Sequence, residues 1–296
     1  MSYVKQLSQK QLIFPPEFVK SGLQYETIMG SMSYGVSSNS SDIDIYGFCI
    51  PHKEIIFPHL KGEILGFSQQ TERFEQWQKH HVKDASNDKE YDFSIYNIVK
   101  YLHLCMKCNP NMIDSLFTPI RCVTYCSQIG NLVRENRRLF LHKGAWFKFK
   151  GYSYSQIHKM ETKNPIGKRK ETIAKFGYDV KFGYHVVRLL NEIEMILTEG
   201  DLDLERNREQ LKSIRRGEWK KEDILDYFNK KERELESLYT NSKLPHGPDE
   251  DKIKQLLLNC LEMHYGSLGK AVHKEHTIAN ILHDLESVIN KYKANE

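Results

Sequence analysis

No apolar run in the 296 residues approaches the roughly 20 that a membrane-spanning helix needs. The N-terminal segment, MSYVKQLSQKQLIFPPEF, has neither the apolar stretch nor the small-residue cleavage site of a secretory signal. A cytoplasmic protein without a membrane partner is therefore expected. Cysteine is scarce, at six residues. That is too few for a disulfide scaffold in so long a chain, and the cytosol would keep them reduced. Charge of one sign is lacking as well. The 43 Lys and Arg against 39 Asp and Glu leave a formal charge of +4, which excludes a histone-like polycation and an acidic tail protein but permits a local basic patch facing phosphate. There is no internal repeat and no low-complexity tract. What is present, 40% hydrophobic and 28% charged residues at a mean hydropathy of −0.59, is a folding-competent composition on the polar side of average.

Four of the cysteines fall as Cys105-x2-Cys108 and Cys122-x3-Cys126, a spacing that invites zinc. The flanking pattern opposes that reading. Ile95 to Lys107 reads as an amphipathic helix with Ile95, Ile98, Val99, Leu102, Cys105 and Met106 along one side, which puts Cys105 with the core stripe. Strands are expected over Gln24–Met29, Ile43–Ile50, Gln76–Val82 and Tyr91–Ile95, separated by Gly, Pro, Ser and Asn clusters. Helical periodicity dominates from about Leu132. The clearest helix runs from Tyr178 to Leu197, with Gly200 as its stop, and others are expected over Lys220–Leu238, Asp249–Met263 and Thr277–Lys291. Asn241–Pro248 reads as a loop too short to separate folding units. The expected class is α+β: a mixed sheet with flanking helices over residues 1–130 and a helical domain over 131–296.

The chemistry-bearing residues concentrate between Ile28 and Gly47. In a strand, Asp42 and Asp44 project to one face while Ile43 and Ile45 point into the core. Two carboxylates roughly 7 Å apart at Cα can converge on one or two Mg2+ ions, and their repulsion makes the pair costly without a cation. A solvent-facing polar strand would show the same spacing. Upstream, Gly30-Ser31 ends an apolar strand and opens a short turn. There glycine permits close backbone approach, the serine offers a hydroxyl, and turn amides can hold a phosphate.

Gly-Ser, a short helix and Asp-x-Asp on the next strand resemble the polymerase-beta-like nucleotidyltransferase superfamily. The fuller string GSMSYGVSSNSSDIDIYG, the Asn109-Pro110-Asn111 block in KCNPNMIDSLF and the KFGYHVVRLL helix are similar to a bacterial and phage family of RNA-repair-associated nucleotidyltransferases. The resemblance implies an N-terminal catalytic domain of polymerase-beta-like fold. The implied activity is transfer of a nucleoside monophosphate from an NTP to an acceptor hydroxyl, on a tRNA or a cleaved RNA end, with Mg2+ (or Mn2+) as cofactor. It also implies a third carboxylate on a later strand. Asp92 is the candidate, because Tyr91, Phe93 and Ile95 alternate inward and leave Asp92 and Ser94 on the opposite face. Glu90 is the runner-up, and Asp84 and Asp88 are weaker. In that scheme Asp42 and Asp44 hold the metal ions and triphosphate, Asp92 holds the ion that activates the acceptor hydroxyl, and Gly30, Ser31, Ser41 and Tyr34 line the nucleotide site, Tyr34 either as a contact or as packing. Transfer to a protein or small-molecule hydroxyl, or a non-catalytic nucleotide- or RNA-binding module, are the alternatives.

Lys181, His185 and Arg188 stand at i, i+4 and i+7 on the Tyr178–Leu197 helix and form a candidate phosphate-binding stripe, although Arg188 could instead pair locally with Glu192. Lys148, Lys150, Lys168, Arg169 and Lys170 interleave with Trp146, Phe147, Phe149, Tyr152 and Tyr154. That mixture suits stacking on single-stranded nucleic acid or an ordinary amphipathic helix. His80-His81 reads as an exposed pair.

Overall fold

The computed structural model describes residues 2–37, 42–67, 72–162, 168–272, 282, 285 and 286, without the side chains of residues 168 and 169. Five strands form one sheet: β1 (Leu23–Met29), β2 (Ile43–Cys49), β3 (Gln76–Asp84), β4 (Lys89–Asn97) and β5 (Val123–Cys126). Their order is β3-β4-β2-β1-β5. β2 and β4 run parallel, and every other neighbouring pair is antiparallel.

Strand alternation sorts side chains between two cores. Ile28, Ile43, Ile45, Tyr91, Phe93 and Ile95 bury one sheet face under α1 (Tyr3–Gln9) and α2 (Glu17–Ser21). Glu26 also points there. Its fully buried carboxylate accepts from the amides of Tyr3 (2.6 Å) and Val4 (2.9 Å) and from Thr124 Oγ1 (2.6 Å), which fastens the first turn of α1 to the sheet. The short α3 (Lys53–Ile56) follows β2.

The opposite face carries the larger core. α4 (Ile98–Met106), α5 (Pro110–Phe117), α6 (Gln128–Glu135) and α7 (Ala145–Thr162) lead into α8 (Lys168–Phe176) and α9 (Val180–Glu199). α10 (Arg208–Arg215), α11 (Lys221–Asn241), α12 (Glu250–Tyr265) and α13 (Leu268–Ala271) complete the helices of the continuous described span. Apolar residues from both sides of residue 130 build this core together, from Tyr25 and Phe48 through Trp146, Leu190 and Leu256. No helix among the described residues is long and apolar enough to cross a membrane.

Helix ends follow their local chemistry. α4 starts three residues later than the periodicity predicts, because Ile95, Tyr96 and Asn97 remain paired to Gly47, Phe48 and Cys49 of β2. Asn97 then caps the helix by accepting from the Val99 amide. α9 starts after Asp179, which accepts from the Lys181 amide, and stops at Gly200, whose φ of +64° is the left-handed conformation that glycine tolerates. The loop after α11 is tied down, since Pro245 O accepts from Lys143 N (2.8 Å) and Ser242 Oγ donates to Leu197 O (2.7 Å). The helix expected over Thr277–Lys291 lies, apart from residues 282, 285 and 286, outside the described residues.

Candidate active site

β2 and β4 are parallel neighbours in a register that sets Asp44 directly beside Asp92. Asp42, exposed, sits two residues earlier on the same face, and Asp44 is half-buried. All three line a cleft of about 430 Å³ between the sheet and α9. Burial pushes the Asp44 carboxyl up to about 6; the Lys181 ammonium opposes the shift, while the charges of Asp92 and Asp42 add to it.

At the end of β1 the chain turns sharply at Gly30, where φ is +67° and a Cβ would stand 2.2 Å from Asp44 Oδ2. Two features therefore favour glycine: the left-handed backbone and the adjacent Asp44 carboxylate, which a side chain would push aside. The turn closes on itself, with Ser33 N (3.1 Å) and Ser33 Oγ (2.8 Å) both donating to Gly30 O. Ser31 is half-buried at the cleft edge. Ser41 lies outside the described residues.

Asp92 is held from the neighbouring edge strand. The β3–β4 register shifts between Lys79 and Val82, and in this bulge His81 adopts a φ of +57°. Its amide donates to Asp92 Oδ1 (2.7 Å), and His80 Nδ1 lies 3.5 Å from the same oxygen. His81 Nδ1 meets Glu90 Oε1 at 2.5 Å, so the runner-up carboxylate is engaged by a ring. The Glu90 hydrogen bond, followed by the Asp92 charge, pulls the His81 pKa up. Exposed the two histidines are, but they stand over Asp92, a placement that depends on the bulge. Asp84 is the last residue of β3, where Lys10 Nζ (2.6 Å) and Ser86 hold its carboxyl below the usual carboxylate range.

The other wall is α9, and its three basic residues do different work. Lys181 is exposed and His185 half-buried along the cleft. Arg188 is buried, and its Nη1 donates to Asp114 Oδ2 (2.5 Å), to Glu192 Oε1 (2.8 Å) and Oε2 (3.0 Å) and to Tyr34 Oη (2.9 Å). Tyr34 Oη in turn donates to Asp114 Oδ2 (2.6 Å), and the guanidinium lies 4.5 Å from the Tyr34 ring centroid. All three residues of the stripe line the cleft, and Arg188 is in addition a buried ion-pair hub that includes the local Glu192 pair. Tyr34 lines the cleft as well, with its hydroxyl bonded inside the hub and its ring packed. Burial raises the Asp114 and Glu192 carboxyls, with Arg188 opposing the rise in each. Asp114, from the KCNPNMIDSLF segment, carried no signal separating it from an ordinary helix aspartate.

The basic–aromatic stretch is largely taken up by α11. Lys150 Nζ pairs with Glu232 (2.8 Å) and lies 5.1 Å from the Trp146 ring centroid, Tyr154 Oη donates to Glu232 (2.7 Å), and Phe147 packs edge-on against Tyr239. Cys105 and Cys108 sit in the larger core and Cys122 in the smaller one, on the other side of the sheet. Among the described residues, no three His, Cys, Asp or Glu side chains are already drawn into a closed metal-binding group. Asp42, Asp44 and Asp92 offer hard oxygen donors along one wall of an open cleft, and burial disfavours the lone anion at Asp44. Such a set fits a hard divalent cation that keeps other ligands of its own.

The RlaP family model, described as the RNA repair pathway DNA polymerase beta family, matches residues 17–259. That span runs from the start of α2 into α12 and contains the whole cleft. No curated protein matches the chain.

Proposed function

The chain belongs to the RNA repair pathway DNA polymerase beta family, and from that premise we propose that it transfers a nucleoside monophosphate from an NTP to a hydroxyl of an RNA end. The observation that carries this reading is the side-by-side register of Asp44 and Asp92, with the Gly30 turn pressed against the Asp44 carboxylate. Catalysis is assigned to residues 1–130, and the basic wall of the cleft to the helical half, residues 131–296.

In the transfer, the acceptor oxygen attacks the α-phosphorus, the bond to the bridging oxygen of the leaving pyrophosphate breaks, and the acceptor proton departs. Asp42, Asp44 and Asp92 would hold divalent metal, Mg2+ or Mn2+. Bound there, the metal supplies charge neutralisation on the phosphates and a lowered pKa for the attacking hydroxyl. Asp92, fixed by the His81 amide, orients the acceptor side and is placed to receive its proton. Lys181 and His185 face the cleft across from the carboxylates and offset phosphate charge there. The Gly30–Ser31 turn brings backbone close to the Asp44 side of the cleft, where a side chain would block it. The test is direct. Protein incubated with each labelled NTP, Mg2+ and total RNA should place label on RNA, and label on protein or on a small molecule instead would overturn the RNA acceptor.

A further inference from the structure

Strand β3 forms one edge of the sheet, and its side chains on the Asp92 face differ from those of β2 and β4. Gln76 and Gln78 pair in register with Tyr96 and Ser94, and Lys83 pairs with Glu90, so Gln76, Gln78 and Lys83 share the face that carries Asp92. His80 joins them through its approach to Asp92. All four are exposed. The amides are aligned along the strand, with Gln76 Nε2 donating to Gln78 Oε1 (3.2 Å) and Gln78 Nε2 to Ser94 Oγ (3.2 Å). The row holds neutral hydrogen-bonding groups, imidazoles and one ammonium. Its neighbouring carboxylate, Glu90, is engaged by His81.

We propose that this edge, Gln76, Gln78, His80, His81 and Lys83, is the docking track for a single-stranded RNA end whose terminal hydroxyl is presented to Asp92. The inference rests on the nucleotidyl-transfer reading above and names its acceptor subsite. Three observations support it. The bulge keeps a non-glycine residue at a φ of +57°, a conformation that side chains disfavour. What the conformation achieves is a hydrogen bond from the His81 amide to Asp92 and two ring faces, with side chains 52% and 78% exposed, next to that carboxylate. Exposed rings with a basic residue nearby are the combination that stacks bases and pairs phosphates without reading sequence. The strand is at the sheet edge and these side chains are exposed, so a chain can lie along them toward Asp92 from outside the sheet. A protein partner would call for an apolar anchor, and this row supplies none.

The test uses a 5′-labelled single-stranded RNA oligonucleotide with a free 3′ hydroxyl, read by fluorescence anisotropy in Mg2+ without NTP and, in parallel, by transfer kinetics. His81→Gly keeps both the amide donor and the backbone conformation while removing the ring. In the His80→Ala, His81→Gly double variant, Kd for the oligonucleotide and KM for the acceptor should each rise about tenfold, as expected for one lost stacking site. KM for NTP should stay within twofold. Lys83→Ala should weaken binding and flatten the salt dependence of log K by about 0.7, the value of one phosphate contact on a single strand. Wild-type protein that binds the oligonucleotide, with a double variant that binds and extends it equally well, would overturn the track and leave the transfer reading intact. Wild-type protein that binds no RNA and labels another acceptor would overturn both.

Discussion

The two walls of the cleft carry similar residue types in opposite states. On the sheet wall, Asp42, Asp44 and Asp92 line up with no arginine or lysine among the described residues bonded to them, and Asp44 is disfavoured as an anion by its burial. On the helical wall, Asp114 and Glu192 are more deeply buried than any of the three, yet one guanidinium bridges both and takes in Tyr34 as well. The first group has no described Arg or Lys ion-paired to it, and the second is neutralised within the chain. A carboxylate cluster is therefore better judged by whether the protein itself neutralises it than by its burial or spacing.

Asp42→Asn and Asp44→Asn should produce the largest effect. Each removes a charge that a divalent ion requires, and losing several kcal/mol of charge stabilisation on the phosphates corresponds to about a thousandfold loss of transfer. Folding should survive, which circular dichroism would show. Activity above a tenth of wild type in either variant would break the contrast, because the sheet wall would then be mere surface. Next comes Arg188→Ala, which strands two buried carboxylates and should lower stability by about 3–5 kcal/mol in denaturant titrations at pH 7. The loss should shrink toward acid pH, where protonation neutralises the stranded groups. Glu192→Gln leaves Arg188 paired with Asp114 and should cost far less. Equal losses in the two variants would mean that the hub is not held by charge.

Asp44 gives a smaller effect of definite sign. Its folded pKa of about 6 lies above the ordinary unfolded value of about 3.9. The raised pKa means that the stability present in acid is lost as pH rises through about 6, by at most about 3 kcal/mol at 1.36 kcal/mol per unit. In EDTA, wild type should thus weaken between pH 4 and pH 7, while Asp44→Asn should show a flatter profile and a higher Tm at pH 7. Added Mg2+ should restore wild type by binding the native state. A steeper profile in the variant would show that Asp44 is stabilised as an anion by something else.

The sheet wall was more legible than the helical one, for a physical reason. Ile43, Ile45, Tyr91, Phe93 and Ile95 alternate with polar residues within a few positions, so the period-2 pattern alone puts Asp42, Asp44 and Asp92 on a common side. Gly30 stands out by residue type, but its second constraint, contact with Asp44, depends on how β1 pairs with β2. The hub joins residues separated by 74 and 154 positions, and no periodicity within α5 or α9 encodes that meeting. Arg188 consequently read as one more cation on a helix border or as a local partner of Glu192, with no sign of Asp114 or Tyr34. The His80–His81 bulge was hidden for the same reason, since a register shift is a property of two strands. Glu26, in a strand of wholly buried residues, gave no sign that it caps α1.

Lys181 tests the contrast within a single helix. It lies two turns before Arg188 on α9, yet it is exposed to the cleft and forms no ion pair with another described side chain. Its charge already acts on Asp44, where it opposes the upward shift of the carboxyl. An ammonium on a flexible stem adds attraction for triphosphate without organising the fold, so Lys181→Ala should leave the Tm within about a degree, as for an ordinary surface substitution. Nucleotide affinity should fall about tenfold at low salt, or ~1.4 kcal/mol. Because the contact is exposed, the difference from wild type should contract as ionic strength rises toward 0.5 M and the Debye length shortens. Equilibrium titration with a non-hydrolysable NTP at two salt concentrations measures this. If Lys181→Ala instead lowered stability and left affinity alone, the lysine would belong with Arg188, and the helical wall would contribute scaffold only.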